Sequence, residues 1–363
     1  MTTKHVYLDL QMCNISSQNQ VINFNETRFI DIVSEPNKYE LSIVRFQVST
    51  STLPVFIPVI NPYSDNSHET IYSVSLEYKG YEVTTKVYWV PEITNVNEPS
   101  SPSSNSNGLQ TKSDYYYAYS YSWLPKLIET ALQIAFDDLK QAVLEGESQD
   151  LLADCQIPYF YFDTNSGSSI LSVDSQFFDS YKNEEDHVKI NFNQALYNLF
   201  SSFNSTFNGI SFEIIVDSFR GSDTQKINAS VNENYSNVLQ EYSTIASQNP
   251  VSSILFTSAT LPIFSENINT PILFTDNSTS GGANLSSDTK RIITDLQSES
   301  LIYKPSLTMI PSAQFRYISM RNANAIRDIQ ISCLWRDLLG NFHDLLLPSG
   351  GSCSVKLYFR RID

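Results

Sequence analysis

Residues 39–60 read YELSIVRFQVSTSTLPVFIPVI, the longest nearly unbroken run of strand-forming residues in the first half of the chain. Tyr39, Leu41 and Ile43 alternate with Glu40 and Ser42, the two-residue period of a half-buried strand. At Ile43–Val44 the phase flips, and Val44, Phe46 and Val48 then alternate with Arg45 and Gln47. A flip without a break calls for a bulge, or for a bend that carries the strand from one sheet to another. Ser49–Thr52 supply a turn. Val55–Ile60 is apolar on both faces, and Pro54 and Pro58 predict an edge strand or an extended arm there.

The same alternation extends outward from this stretch. Before it, Val6, Leu8 and Leu10 alternate with Tyr7, Asp9 and Gln11, and Val21–Phe24 and Arg28–Val33 read as short extended pieces. After it, Tyr72–Tyr78 and Tyr81–Val90 flank Lys79–Gly80 as a tight hairpin, with Gly80 supplying the positive φ. At the far end, Ile329, Ile331, Cys333 and Trp335 share one face of a strand, and Cys353, Val355, Leu357 and Phe359 share one face of another. Ser253–Leu261, Ile272–Thr275, Gln314–Met320 and Asn341–Leu347 are further strand candidates.

The middle differs. Residues 95–113 are Ser/Asn-rich and of low complexity, which predicts a flexible linker. Trp123–Glu145 carries an apolar stripe at helical spacing from Leu124 through Leu127, Ile128, Ala131, Leu132, Ala135 and Leu139 to Val143. Ser122 is placed to cap it and Gly146 to end it. Pro158–Asp163, Val188–Phe192 and Ile210–Val216 read as strands, and Asn193 caps a short helix. Gly221–Ser236 and Asp276–Lys290 read as polar loops. The fold expected is mainly β: an antiparallel β-sandwich formed by the N- and C-terminal segments, with an α+β insertion. Its parts are 1–94 (sandwich, first part), 95–113 (linker), 114–250 (α+β insertion) and 251–363 (sandwich, second part).

With 363 residues and 41% hydrophobic side chains, the chain can bury a sizeable core. Charged residues are only 17% and the net charge is −16. That acidity argues against nucleic acid as a partner, and the basic end at Lys356, Arg360 and Arg361 is small. The four cysteines form no CxxC and no Cys/His ligand spacing, so buried free thiols are expected at Cys333 and Cys353. No signal-peptide core opens the chain and no apolar run is long enough for a membrane span, which implies synthesis in a reducing cytoplasm.

The search for chemistry yields no catalytic, cofactor or metal site. The four histidines, His5, His68, His187 and His343, lack ligand spacing, and no nucleophile elbow or phosphate loop occurs. Glu184–Glu185–Asp186–His187 reads as a solvated acidic loop before a strand, with a metal site or a hydrolase carboxylate pair as the sharper alternative. Asp163–Asp174 (DTNSGSSILSVD) places oxygens at the first, third and twelfth positions of a calcium loop. Its Gly167 stands at the fifth position instead of the sixth, and its flanks are strands, so a strand-end turn is the plain reading. The aromatic run Tyr115, Tyr116, Tyr117, Tyr119, Tyr121 and Trp123 has no interleaved Lys or Arg. It reads as packing against the long helix, with contact to a glycan or receptor as the alternative.

FNETRFIDIV (Phe24–Val33) and the opening stretch resemble the start of penton-type minor capsid proteins of virophages, polinton-like viruses and related small icosahedral DNA viruses. FRYISM (Phe315–Met320), DIQISCLWRDLLGNFHDLLLPSG (Asp328–Gly350) and CSVKLYFRR (Cys353–Arg361) are similar to the end of such proteins. The resemblance covers both ends and leaves the middle unmatched. It implies a single jelly roll of two four-stranded antiparallel sheets, a homopentamer at the vertex of an icosahedral virion, and contact with a major capsid protein. Pro-punctuated LPVFIPVI would then be an arm reaching toward a neighbouring subunit. A viral attachment module of lectin-like β-sandwich build is the second reading, and a β-sandwich hydrolase the third.

Overall fold

Alternating apolar strands at both ends and one long amphipathic helix between them require two separate cores, and the computed structural model shows two. It describes residues 5–102, 113–181, 186–217, 235–268, 273–275, 278–280, 288–296, 306–309, 316–322 and 324–362. Four strands come first: β1 (His5–Cys13), β2 (Gln20–Val21), β3 (Asn23–Thr27) and β4 (Tyr39–Ser49). The middle supplies β5 (Glu69–Tyr78), β6 (Tyr81–Tyr88), α1 (Trp123–Glu147), β7 (Tyr159–Asp163), β8 (Ser168–Asp174) and α2 (Ser175–Phe178). It continues with β9 (Lys189–Asn193), α3 (Gln194–Leu199), β10 (Ser205–Phe207), β11 (Ser211–Ile214) and β12 (Tyr235–Leu239). The chain then returns to β: β13 (Val251–Thr257), β14 (Glu266–Ile268), β15 (Leu273–Thr275), β16 (Ser278–Ser280), β17 (Asp288–Lys290) and β18 (Ile292–Leu296). It closes with β19 (Ser306–Met309), β20 (Ile318–Ser319), β21 (Asp328–Asp337), β22 (Phe342–Asp344), β23 (Leu346–Leu347) and β24 (Ser352–Arg361).

The first unit comprises residues 1–53 and 250–363 and is a jelly roll. One sheet runs β1-β24-β4, with β19 and β20 sharing the edge beside β4; the other runs β18-β13-β21, with β3 and β22 sharing the edge beside β21. Each sheet therefore has four strand positions, all antiparallel. The last strand lies between the first and the fourth, a Greek-key placement. The inward faces meet at Phe46 of β4 and Phe256 of β13, whose ring centroids are 5.1 Å apart. Leu41, Ile43 and Val48 are buried on the same face of β4, as are Ile329, Ile331, Cys333 and Trp335 on β21 and Cys353, Val355, Leu357 and Phe359 on β24.

The phase flip in β4 is a bulge within one sheet. Against β24, Ile43 stands opposite Leu357 and Arg45 opposite Lys356, which leaves Val44 as the extra residue. It turns Phe46 and Val48 back to the side that Leu41 and Ile43 already face, and the strand does not change sheets.

The second unit, residues 54–249, is α+β with a single hydrophobic core. A five-stranded sheet, β10-β11-β9-β5-β6, and a three-stranded sheet, β12-β8-β7, accompany α1, which packs on β5, β6 and β7. The division falls at Leu53/Pro54 and not after residue 94. The β5–β6 hairpin belongs here because Val74 and Leu76 stand opposite Phe192 and Ile190 of β9. The turn between β5 and β6 has positive φ at both Lys79 and Gly80, the two-residue type I′ geometry that suits twisted strands. The helix passes the expected stop at Gly146 and ends at Glu147, with Ser148 left-handed. Gly146 has another role: a Cβ there would overlap the Tyr81 ring. Asn193 caps α3 as expected, its Oδ1 accepting from Leu196 N at 3.0 Å.

Three further expectations change. Residues 54–60 are not an arm: Phe56 is buried against Tyr72 and Trp89, and across a short bridge Val55 N donates to Ala118 O at 2.7 Å and Ala118 N to Phe56 O at 3.0 Å. Arg28–Val33 is a bend with one bridge residue, Val33 opposite Ile326. The described part of the 95–113 linker is pinned, since Glu98 accepts from Ser67 and contacts His68 Nε2 at 3.1 Å. The loops expected at 221–236 and 276–290 lie mostly outside the described residues, apart from the short strands within them.

Candidate functional site

The residues singled out for chemistry do not converge. Asp163 closes β7 opposite Ser168, while Asp174 ends β8, so six strand steps, about 20 Å, separate the two carboxylates. Asp163 is taken up by its own turn, accepting from Asn165 N at 3.1 Å, Ser166 N at 3.0 Å and Ser166 Oγ at 2.7 Å. Hydrogen bonding, chiefly from Ser166, holds its carboxyl below the usual value. Asp174 is buried and caps α2 through Gln176 N at 3.0 Å. A strand-end turn is what these residues build, and the calcium geometry is not formed.

Of the acidic run, Glu184 and Glu185 lie outside the described residues. Asp186 reaches Lys79 at 3.5 Å. His187 is buried, with Nε2 3.4 Å from Glu213 Oε1, and that contact is the main cause that depresses the Glu213 carboxyl. Among the described residues no group of three or more His, Cys, Asp or Glu side chains is arranged to hold a metal ion.

Tyr115, Tyr116 and Tyr117 are core residues. Tyr116 Oη donates to Ser67 O at 2.9 Å, and Trp89 Nε1 donates to Tyr115 O at 2.9 Å. Three rings of the run are thus taken from any stacking surface, as the packing interpretation expects. Cys333 and Cys353 are buried free thiols, and burial pushes Cys353 up to about 12. A thiol held protonated is a poor nucleophile and metal ligand.

What remains are surfaces. The outer face of β1-β24-β4 is laced together. Arg45 Nη2 meets Asp9 Oδ2 at 2.6 Å, Arg360 Nη2 meets Glu40 Oε2 at 2.6 Å, and His5 Nδ1 lies 2.7 Å from Tyr358 Oη. Tyr7 stacks on Tyr358 with centroids 4.7 Å apart, and Lys356 sits over Tyr7. The basic end seen in the sequence is therefore largely engaged on its own sheet. At the end of β21, Asp337 is buried and accepts from Asn341 N at 2.8 Å, Asn341 Nδ2 at 3.0 Å and His343 Nε2 at 3.0 Å. His343 stacks on Trp335 at 4.1 Å. This cluster braces the β21–β22 hairpin. Sequence reasoning missed the exposed pair Phe29–Ile30 because it took those residues as strand; their one signal was adjacent apolar residues without clean alternation.

The double-sheet jelly roll is a build shared by viral capsid and lectin domains. The chain belongs to the family of the Sputnik minor capsid protein V18/19, whose model matches residues 6–361. It is 40% identical over 115 residues to the uncharacterized protein V18 of Sputnik virophage, an alignment spanning 31% of this chain and 69% of that protein. A chain of the Sputnik virophage structure solved by cryo-EM is similar with a TM-score of 0.81 and 26% identity, covering 99% of this chain and 98% of that one. The mavirus penton protein is similar in fold with a TM-score of 0.64 and 17% identity, covering 99% and 100%. The resemblance to minor capsid proteins, drawn from the two ends, thus extends over residues 6–361. Among the described residues no helix is long and apolar enough to cross a membrane.

Proposed function

We propose that the chain is a vertex subunit of an icosahedral virion, assembling as a homopentamer and contacting the major capsid protein around it. The observation that carries this reading is likeness along the whole chain, inserted unit included, to a mavirus penton protein and to a chain of the Sputnik particle. Balanced charge on the jelly roll supports close packing of copies. Residues 1–53 and 250–363 hold 14 acidic and 14 basic side chains. Mass photometry and negative-stain imaging of the purified chain test the proposal. Five-fold rings of five 41.1 kDa chains are expected, and a species that stays monomeric or dimeric at every concentration refutes it.

A further inference from the structure

Phe29 is fully exposed and its neighbour Ile30 is 81% exposed. They form the tip of a bend that is fastened on both sides. Arg28 N donates to Arg327 O at 3.0 Å, Ile32 N to Ile326 O at 2.8 Å and Ile326 N to Val33 O at 2.8 Å. Outside this ladder, Arg327 pairs with Asp31 at 2.7 Å and Arg28 with Glu26 at 3.0 Å. The result is an aromatic and an aliphatic side chain on a pre-formed backbone, ringed by two cations and two anions.

We propose that Phe29 and Ile30 anchor one copy of this chain to a second copy, through the first unit of each. Leaving both side chains in water forgoes about 1.5–3 kcal/mol apiece. A backbone already held in place loses little further freedom on binding, and an apolar centre inside a polar ring is how interface anchors are built. Charge selects the partner. The ring carries both signs in equal number, and so does the first unit. Residues 54–249 instead hold 25 acidic against 9 basic side chains, so the whole net charge of −16 lies there. Copies of the second unit repel one another and match the mixed ring poorly. The proposal rests on the assembly reading above and goes further by placing the anchor.

The test uses the full chain carrying Phe29→Ser together with Ile30→Ser, followed by sedimentation velocity over a concentration series and by thermal melting. Loss of two side chains that the interface would bury predicts association weaker by about a hundredfold or more, with an unchanged melting temperature at a dilution where parent and variant are both monomeric, because neither side chain packs within its own chain. Phe207→Ser with Ile210→Ser, two exposed apolar residues of the second unit, leaves association as in the parent. Raising salt from 0.05 to 0.5 M strengthens parent association by screening the like-charged second units. A double variant that assembles like the parent overturns the anchor while the assembly reading stands. A melting temperature lowered at that monomeric dilution overturns it too, since the side chains would then pack internally. Equal weakening by the Phe207/Ile210 variant, or association that weakens with salt, also counts against it. A parent that never associates refutes the assembly reading, and the anchor with it.

Discussion

Phe56→Ala decides between a free arm and a folded core segment for residues 54–60. On the arm reading a small residue at 56 leaves the monomer alone. In the structure Phe56 is 3% exposed, with ring centroids 6.3 Å from Tyr72 and 6.4 Å from Trp89. Its backbone is bridged to Ala118, so the site cannot collapse by sliding the segment inward. Truncating a buried Phe under such constraint costs about 3–5 kcal/mol. With a urea slope of about 2–3 kcal/mol/M for a unit of this size, the midpoint falls by about 1–2.5 M. The assay is tryptophan fluorescence during urea titration of the full chain in a Trp335→Phe background. The remaining reporters, Trp89 and Trp123, both belong to the second unit. A midpoint within about 0.3 M of the parent, coupled to weakened association, refutes the core placement and restores the arm.

Deleting Val44 removes the bulge and leaves Leu41, Ile43, Phe46 and Val48 in one unbroken alternation. Far-UV circular dichroism and melting are therefore expected to stay near the parent, whereas deleting Gln47 turns Val48 outward and unfolds the first unit; equal effects contradict the bulge assignment. Gly146→Ala forces Tyr81 aside and is expected to lower stability by about 1–3 kcal/mol, against the gain of about 1 kcal/mol that the same change brings in an unhindered helix; a higher melting temperature rules out the close approach. For Asp337, burial raises the carboxyl, but hydrogen bonds from His343 and Asn341 outweigh it and the net value is depressed. Its contribution is then complete above the unfolded carboxylate value of about 3.9 and is lost as the pH falls through the lower folded value. Asp337→Asn is expected to cost about 1.5–3 kcal/mol at neutral pH, with the gap closing as the pH drops below about 3.9; denaturant titrations from pH 7 to 2.5 that show a constant gap contradict it.

How much of this was legible depended on whether the signal was local. The faces of β21 and β24, the Lys79–Gly80 turn, the stripe of α1 and the Asn193 cap were all readable, because each is set by residues a few positions apart. The bulge at Val44 was half legible. The phase flip required either a bulge or a change of sheet, and only the pairing of Ile43 with Leu357 and Arg45 with Lys356 separates the two. Residues 54–60 were misread because prolines mark a segment that cannot join a central ladder, and that says nothing about whether its side chains are buried. Phe29 and Ile30 were hidden for the opposite reason: strand-forming residues promise burial, and here the chain turns them out. The Asp163–Asp174 spacing could not reveal that a strand runs between its two ends.

The unit boundary was hidden differently, and a signal for it was present in the sequence. β5 and β6 alternate as cleanly as any jelly-roll strand, and a hairpin reads the same whichever sheet it joins. The partner that assigns it, β9, follows more than 100 residues later, beyond any window of periodicity. The low-complexity stretch at 95–113 drew the division to itself because composition there changes most visibly. Charge balance changes earlier. Residues 1–53 carry five acidic and four basic side chains, whereas 54–94 carry five and two, already the excess that runs through to residue 249. From residue 250 the balance returns, with nine acidic and ten basic. A surface that must meet copies of itself is served by equal numbers of both signs, and one that must stay apart from them is served by a single sign. Net charge per segment therefore marks the point where the chain leaves one unit for the other, which strand pattern does not.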